Sequence, residues 1–416
     1  MMSTLRFPIS RASSICVFLY LSLLLTTARG YSIGLGLLLL LSLWALTQVK
    51  TIQLKRSDYV LLFALLAAGS IQVVVLMYNE ASWSELDLPL RYIVVIPILL
   101  LCLHYPPSFS GLFGGVWVGA VATAILAASE LTIPHARATG FTGGIQFGNL
   151  GLLLGVFSLG IALFGIEAKK HISFVVLAFV AAVAGVFVSI ASGSRGGWVA
   201  LPFVVLVLYG AYVKREHALM VGVTVVLGLL LLLGAASQVS SIKARVDQAQ
   251  IDLVEFKKGN VNTSIGVRLS LWQAELQLIA QRPLTGWNKS QHAVALENMA
   301  KQHKVDETSS KLANSHNTFL ELWIYTGIFG LLGVLFLFGV AGYGFLTKIR
   351  SSNPYTKFAA VSGLNLVLSY MIFSQTQIML GRNNTLVFFL LMLCLFWGMM
   401  RHSDYRDSKR LQPVYL

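Results

Sequence analysis

Charged side chains are scarce in this chain, only 12% of 416 residues. That shortage excludes an ordinary soluble domain, where about a quarter of residues are charged, and a disordered one, which combines high charge with little apolar content. Acid is scarcer than base, with 17 Asp and Glu against 31 Lys and Arg. The three cysteines, Cys16, Cys102 and Cys394, do not suggest a disulfide framework and have no metal-ligand spacing. They sit within apolar runs, as small buried side chains do. No Walker loop, HExxH pair or Ser-His-Asp pattern stands out. Alternation of polar and apolar residues, the mark of a membrane barrel, is absent, and so is a ladder of intramembrane charges fit for a proton pump.

What the chain has instead is apolar length: 56% of it is hydrophobic. Many runs reach the roughly 20 residues that cross a bilayer as a helix. Backbone amides in lipid must bond within their own segment, so these runs are helices. The sequence predicts an all-α, polytopic membrane protein of about twelve spans: 12–28, 31–48, 58–78, 89–104, 110–129, 146–166, 171–191, 196–213, 217–236, 316–346, 355–376 and 382–400. The organisation expected is a membrane bundle over 1–236, a polar helical segment over 237–315, a second bundle over 316–400 and a basic tail over 401–416. Residues 1–30 carry Arg6 and Arg11 ahead of an apolar stretch. A weak cleavage pattern and an immediate second span make this a retained first helix. The 316–346 run is long for one span, so it tilts or continues past the bilayer surface. Gly111, Gly115 and Gly119 form a small-residue stripe suited to helix packing.

The net charge of +14 comes from cations clustered in short loops, which insertion topology explains better than a nucleic-acid surface. Placing both termini in the cytoplasm puts Lys50, Lys55, Arg56, Lys169, Lys170, Lys214, Arg215, Lys348, Arg350, Lys357 and the basic tail inside. The polar segment then lies outside. Topology leaves four outside cations unexplained: Arg137, Arg195, Arg268 and Arg382. They bind a phosphate-bearing ligand or are interfacial arginines snorkelling toward headgroups.

Three places could carry chemistry. Ser194-Arg195-Gly196-Gly197 begins a span: Ser194 can cap the helix, and the glycines admit a ligand close to unpaired first-turn amides. A tight membrane-surface turn fits that sequence equally well. Residues 264–281 read as an amphipathic helix with Ile265, Leu269, Trp272, Leu276 and Ile279 on the apolar face, ended by Pro283. Arg268 lies on or beside that face, where a cation needs a ligand or a carboxylate such as Glu275. At Ser315-His316-Asn317, Ser315 can cap the next helix. His316 would then fall in its first turn, where the helix dipole favours a neutral imidazole able to accept a proton. An interfacial histidine bonded to backbone is the plainer account of His316 taken alone. Glu321 and Asn317 can orient it. A second amphipathic stretch, 241–257 (Ile242, Val246, Ile251, Val254), lies on the membrane or caps the bundle. Glu85 and Asp87 form an acidic pair that reads as a solvated loop rather than a metal site, and His135 beside Arg137 has no supporting partner.

The order Ser194-Arg195-Gly196, Arg268 with Trp272, Pro283-Leu284-Thr285-Gly286-Trp287 and His316-Asn317, with the long segment before the third-last span, resembles the O-antigen ligase and polymerase superfamily. The resemblance is strongest over 190–330. It implies a GT-C-like membrane enzyme of the bacterial inner membrane, with its site at the periplasmic face and with no metal or cofactor. Such an enzyme transfers O-antigen from undecaprenyl diphosphate to a sugar hydroxyl of lipid A–core with inversion. The resemblance implies that Arg195 and Arg268 hold the diphosphate, helped by Ser194, Gly196, Arg137 and Arg382, and that His316 activates or positions the acceptor. The same donor serves a polymerase or an oligosaccharyltransferase of the superfamily. A lipid-linked sugar transporter would use the arginines but not His316.

Overall fold

The computed structural model describes residues 2–49, 52–133, 137–217, 219–220, 222, 240–312 and 314–410. Among these, every regular element is helical, and nine helices are long and apolar enough to cross a membrane. The chain is a polytopic helical membrane protein. In order the helices are α1 (Met2–Leu23), α2 (Gly30–Thr47), α3 (Arg56–Tyr78), α4 (Asp87–Val94), α5 (Ile96–His104), α6 (Phe109–Glu130), α7 (Gly144–Glu167), α8 (Ile172–Ala191) and α9 (Leu201–Tyr212). Then come α10 (Ser240–Lys257), α11 (Ser264–Gln281), α12 (Lys289–Lys301), α13 (Glu307–Ser310), α14 (Thr318–Leu346), α15 (Pro354–Phe373) and α16 (Asn383–Arg410). Pro8–Leu23 and Gly196–Tyr212 are shorter apolar helices. The expected span 217–236 lies almost wholly outside the described residues.

Burial sorts the helices into centre and periphery. The apolar windows of α7, α15 and α16 are 83%, 78% and 89% buried, against 28–44% for α2, α3, α6 and α8. The central helices read as continuous apolar runs because every face meets protein. On α8 the outer stripe is Val176, Phe179, Val183, Val186 and Ile190, and the inner one is Ala178, Ala181, Ala182 and Gly185. A Cβ built on Gly185 would stand 2.5 Å from the Cα of Gly155, so two small residues let α7 and α8 approach closely where lipid supplies no hydrophobic drive. The Gly111-Gly115-Gly119 stripe does the same against Ser14, Phe18 and Leu21 of α1.

The overlong span has a specific explanation. An unbroken helix of α14's 29 residues would measure about 43 Å, more than the roughly 30 Å of hydrocarbon. Gly327 breaks it, with φ 61° and ψ −175°. The break frees the Ile324 carbonyl and the Ile328 amide, which would otherwise bond to each other one turn apart. Both find partners in the Pro283-Leu284-Thr285-Gly286-Trp287 turn: Trp287 N–H donates to Ile324 O at 2.7 Å, and Ile328 N–H donates to Pro283 O at 2.9 Å. Side chains reinforce the splice. Trp323 Nε1 donates to Pro283 O at 3.0 Å and Asn79 Nδ2 to Thr285 O at 2.6 Å.

The cation-rich loops and the polar segment occupy opposite ends of the helices. At one end, Arg401 grips Asp58 through two 2.7 Å hydrogen bonds, Lys348 pairs with Asp404, and Lys357 pairs with Glu167. The other end carries α11 and α12, whose small core of Leu271, Ala274, Leu278, Leu296 and Met299 closes on Ile324 of α14. The bounds of α11 match the periodicity, and its packed face does so in part: Ile279 is buried, and Ile265, Leu269 and Trp272 are half-buried. Leu271, Ala274, Glu275 and Leu278 are buried while Leu276 is 51% exposed. A carboxyl such as Glu275 reads as outward on hydropathy, yet a bonded partner holds it inside. In α10, Ile251 and Val254 are about half exposed, and the side chains of Ile242 and Val246 lie outside those described.

Gly327→Ala should lower stability by about 3 kcal/mol or more, because its Cβ would lie 1.9 Å from Leu284 O at a positive φ. Gly339→Ala, in the same helix with open space around it, should be neutral. Thermal unfolding in detergent distinguishes the two.

Candidate active site

The site is built where the ends of α7, α8, α14, α15 and α16 meet beneath α11. Its organiser is Ser315. Trp272 Nε1 donates to Ser315 O at 2.6 Å, Ser315 Oγ donates to Glu275 Oε1 at 2.7 Å, and Ser315 N–H donates to Glu321 Oε2 at 3.3 Å. Three residues on, Thr318 is stitched to the α15–α16 loop. Its N–H donates to Ser374 O at 2.8 Å, its Oγ1 donates to Gln377 O at 2.7 Å, and Met379 N–H donates to that same Oγ1 at 2.8 Å. Between these anchors His316 adopts φ +52°, a left-handed backbone that non-glycine residues rarely take. The strain, about 1–2 kcal/mol, is held by the hydrogen bonds on either side.

The caps differ from those expected. Asn317, not Ser315, begins α14, its side chain accepting from Phe319 N and Leu320 N. His316 is therefore outside the helix, and Asn317 is a cap rather than a partner of the imidazole. That partner is Gln377, whose Oε1 lies 3.2 Å from His316 Nδ1. The same Oε1 accepts from Ile378 N–H at 3.0 Å, which fixes it as the amide oxygen. Nδ1 must then carry the proton, and Nε2 keeps the lone pair. Burial first, then the positive charges of Arg268 and Arg382, hold His316 below the usual imidazole range, partly offset by the Gln377 bond. The imidazole is neutral near pH 7, by burial and arginines rather than by a helix dipole.

Arg268 stands on α11 one turn before Trp272 and two before Glu275, the face that grips Ser315. Among the described residues it makes no ion pair or hydrogen bond, and burial lowers its pKa. The expected carboxylate partner is engaged elsewhere: Glu275, 1% exposed, bonds Ser315. Burial pushes its pKa up to about 8, the Ser315 bond opposing and the nearby Glu321 adding to the rise. The carboxyl is largely protonated at neutral pH and offers Arg268 little countercharge.

The Ser194-Arg195-Gly196 turn joins the same loop by a different route. Ser194 does not cap a helix. Its Oγ donates to Asn149 Oδ1 at 3.2 Å, and Asn149 Nδ2 reaches Met379 Sδ at 3.6 Å. A Cβ on Gly196 would meet Thr376 Oγ1 at 2.6 Å, so glycine there lets the arginine turn abut the residue preceding Gln377. Arg195 leads into a five-residue 3-10 helix, Gly196–Ala200, that runs directly into α9. Arg195 itself is exposed. Arg137 is exposed too, and its Nε would lie 3.6 Å from a Cβ on Gly144, beside Ser192 O. Arg382 is exposed and acts on His316 and Glu321 through its charge. Gln377 and Asn149 escape a reading of the sequence. Their only signals are a polar Ser374-Gln375-Thr376-Gln377 run at a span end and an amide inside an apolar helix. The rival acidic pair has other duties: Glu85 accepts from Ser82 N and Lys289 N, and Asp87 pairs with Arg91. His135 lies outside the described residues.

Residues 177–335 match the family described as O-antigen ligase. The resemblance to the O-antigen ligase superfamily therefore holds. The matched stretch contains Arg195, Arg268 and His316 and ends before Gln377 and Arg382. Similarity to an uncharacterised protein of Haemophilus influenzae, 26% identical over 92% of this chain and 96% of that one, extends well beyond the O-antigen ligase stretch into the amino-terminal half.

Acylation of His316 by diethyl pyrocarbonate, which needs the neutral ring, should titrate below the ordinary imidazole value. Removing a neighbouring cation stabilises the imidazolium, so Arg268→Ala should move that midpoint up. Removing the Gln377 acceptor withdraws the one raising influence, so Gln377→Ala should move it down. Modification followed by mass spectrometry across pH checks both signs.

Proposed function

We propose that the chain is a GT-C-type glycosyltransferase acting as an O-antigen ligase. It moves O-antigen from undecaprenyl diphosphate to a sugar hydroxyl of lipid A–core at the periplasmic face of the bacterial inner membrane, with both of its termini cytoplasmic. The observation that carries the reading is the pairing of a neutral His316, whose Nε2 makes no hydrogen bond among the described residues, with Arg268, a half-buried cation lacking any ion pair among the described residues. The positive-inside distribution supports the sidedness, since the cation-rich loops gather at the end of the bundle away from His316.

In the proposed step the acceptor hydroxyl gives its proton to His316 Nε2 as its oxygen attacks the anomeric carbon. The bond from that carbon to the diphosphate oxygen breaks on the opposite face, so configuration inverts. The leaving diphosphate gains negative charge as the bond lengthens, and fixed guanidinium groups strengthen their hold on it in the transition state. Arg268 and Arg195 are assigned this role, with Ser194 and Gly196 shaping the turn that presents Arg195. Arg137 and Arg382 steer the diphosphate from the rim. Glu321 fixes His316 indirectly, through Ser315 N–H. Arginines can offset that charge without a metal or other cofactor.

His316→Ala, Arg268→Ala and Arg195→Ala should each lower transfer at least about 100-fold while the protein still inserts and purifies. Arg195→Lys should recover only part of the loss, because the planar fork is gone. The measurement is transfer of labelled saccharide from the lipid diphosphate to lipid A–core by purified enzyme. Normal rates in these variants would overturn the site. Elongation on the lipid carrier without lipid A–core would make the enzyme a polymerase, and lipid movement independent of His316 would make it a transporter.

A further inference from the structure

Next to the His316 segment a cleft opens between the site end of α3, α4 and the first turns of α14. Leu76, Leu88, Pro89 and Leu380 give it an apolar wall, and Glu321, Glu85 and Lys289 give it charge. Thr318 and Gly381 lie on its border. Thr318 is two residues from His316, and Gly381 immediately precedes Arg382, so the cleft adjoins the reaction centre.

Glu321 is only half used. Its Oε2 accepts the Ser315 N–H, while among the described residues its Oε1 accepts no hydrogen bond. A Cβ on Gly381 would come within 3.1 Å of that Oε1, so glycine at this position keeps the oxygen uncovered. Lys289 is exposed and pairs with no carboxylate among the described residues, although its charge reaches Glu321. Buried and half-buried carboxylates ordinarily have their lone pairs satisfied. One that presents an open oxygen to a cleft is placed to accept from a ligand.

Charge then decides which ligand. A diphosphate approaching Glu321 and Glu85 meets two carboxylates beside Lys289, whereas at Arg268, whose charge acts on His316, it meets a cation with no carboxylate bonded to it among the described residues. A sugar hydroxyl donates to a carboxylate and accepts from an ammonium, and the apolar faces of a pyranose suit the leucine and proline wall.

Resting on the ligase reading, we propose that this cleft is the subsite for the acceptor saccharide. Glu321 Oε1 and the Lys289 ammonium bind its hydroxyls, and the sugar is held beside His316 while the diphosphate stays on the arginine side. Glu321 thus has two faces. One oxygen positions the base through Ser315, and the other positions the sugar the base deprotonates.

The test separates the two substrates with the full-length enzyme, using labelled lipid diphosphate-linked saccharide and lipid A–core, each varied at saturation of the other. Glu321→Gln keeps an oxygen for Ser315 N–H but loses the charge. Leu88→Trp fills the cleft from α4, away from the His316 anchors. Both should raise the KM for lipid A–core about tenfold or more, leaving the donor KM and the acid limb of the kcat–pH profile in place. The subsite is overturned if either variant raises the donor KM instead, or if Leu88→Trp leaves both KM values unchanged. Failure of the wild-type enzyme to transfer to lipid A–core at all would remove the ligase reading, a different outcome from a wrong subsite.

Discussion

Everything around His316 depends on the immobilisation of Ser315. All three of its polar groups are occupied, by Trp272, Glu275 and Glu321, and the next anchor is Thr318, bound to the α15–α16 loop. A histidine between two such anchors cannot relax out of its left-handed backbone. Its ring is held against Gln377 through Nδ1, with Nε2 in no hydrogen bond among the described residues. Strain of this kind persists only where the surroundings over-determine it. Here the surroundings come from both the membrane bundle and the polar segment.

That shared dependence explains the long polar segment. Helix α11 brings Trp272 and Glu275 to hold Ser315 and, one turn earlier, carries Arg268, whose charge acts on the histidine. The turn after α11 is spliced into the break at Gly327, so the polar segment is joined to α14 through backbone hydrogen bonds rather than by surface packing alone. A base is of most use near neutral pH when it is uncharged. The cations that keep His316 uncharged are assigned to the leaving group, so the same charges serve both halves of the proposed reaction.

Much of this is legible in the sequence, for physical reasons. Apolar runs in a lipid environment admit only helices, so most helices emerge from hydropathy, although α1 starts at Met2 rather than 12, α16 runs on to Arg410, and the span expected at 89–104 is two helices, α4 and α5. Arg137, Arg195, Arg268 and Arg382 stand out because topology does not require them where they are, and His316 because it stands at a helix entry. Pairing at a distance is not legible. Gln377 reaches His316 across 61 residues, and Glu275 reaches Ser315 across 40. Amphipathicity sets Leu276 on the packed face of α11, where the structure buries Glu275 instead, because a buried carboxyl with a hydroxyl donor looks outward on any hydropathy scale. The cap falls to Asn317 rather than Ser315 because Ser315 is engaged elsewhere. Gly327 looks like one more small residue in an apolar run, although it divides α14.

The central claim is a single displacement in which His316 takes the acceptor's proton, the arginines receive the diphosphate and no covalent enzyme intermediate forms. The anomeric configuration of the product linkage, determined by NMR on saccharide transferred in vitro and compared with that of the lipid-linked donor, tests it most directly. The account predicts inversion. Retention would require a second displacement through a nucleophile that this site does not assign, and would contradict it.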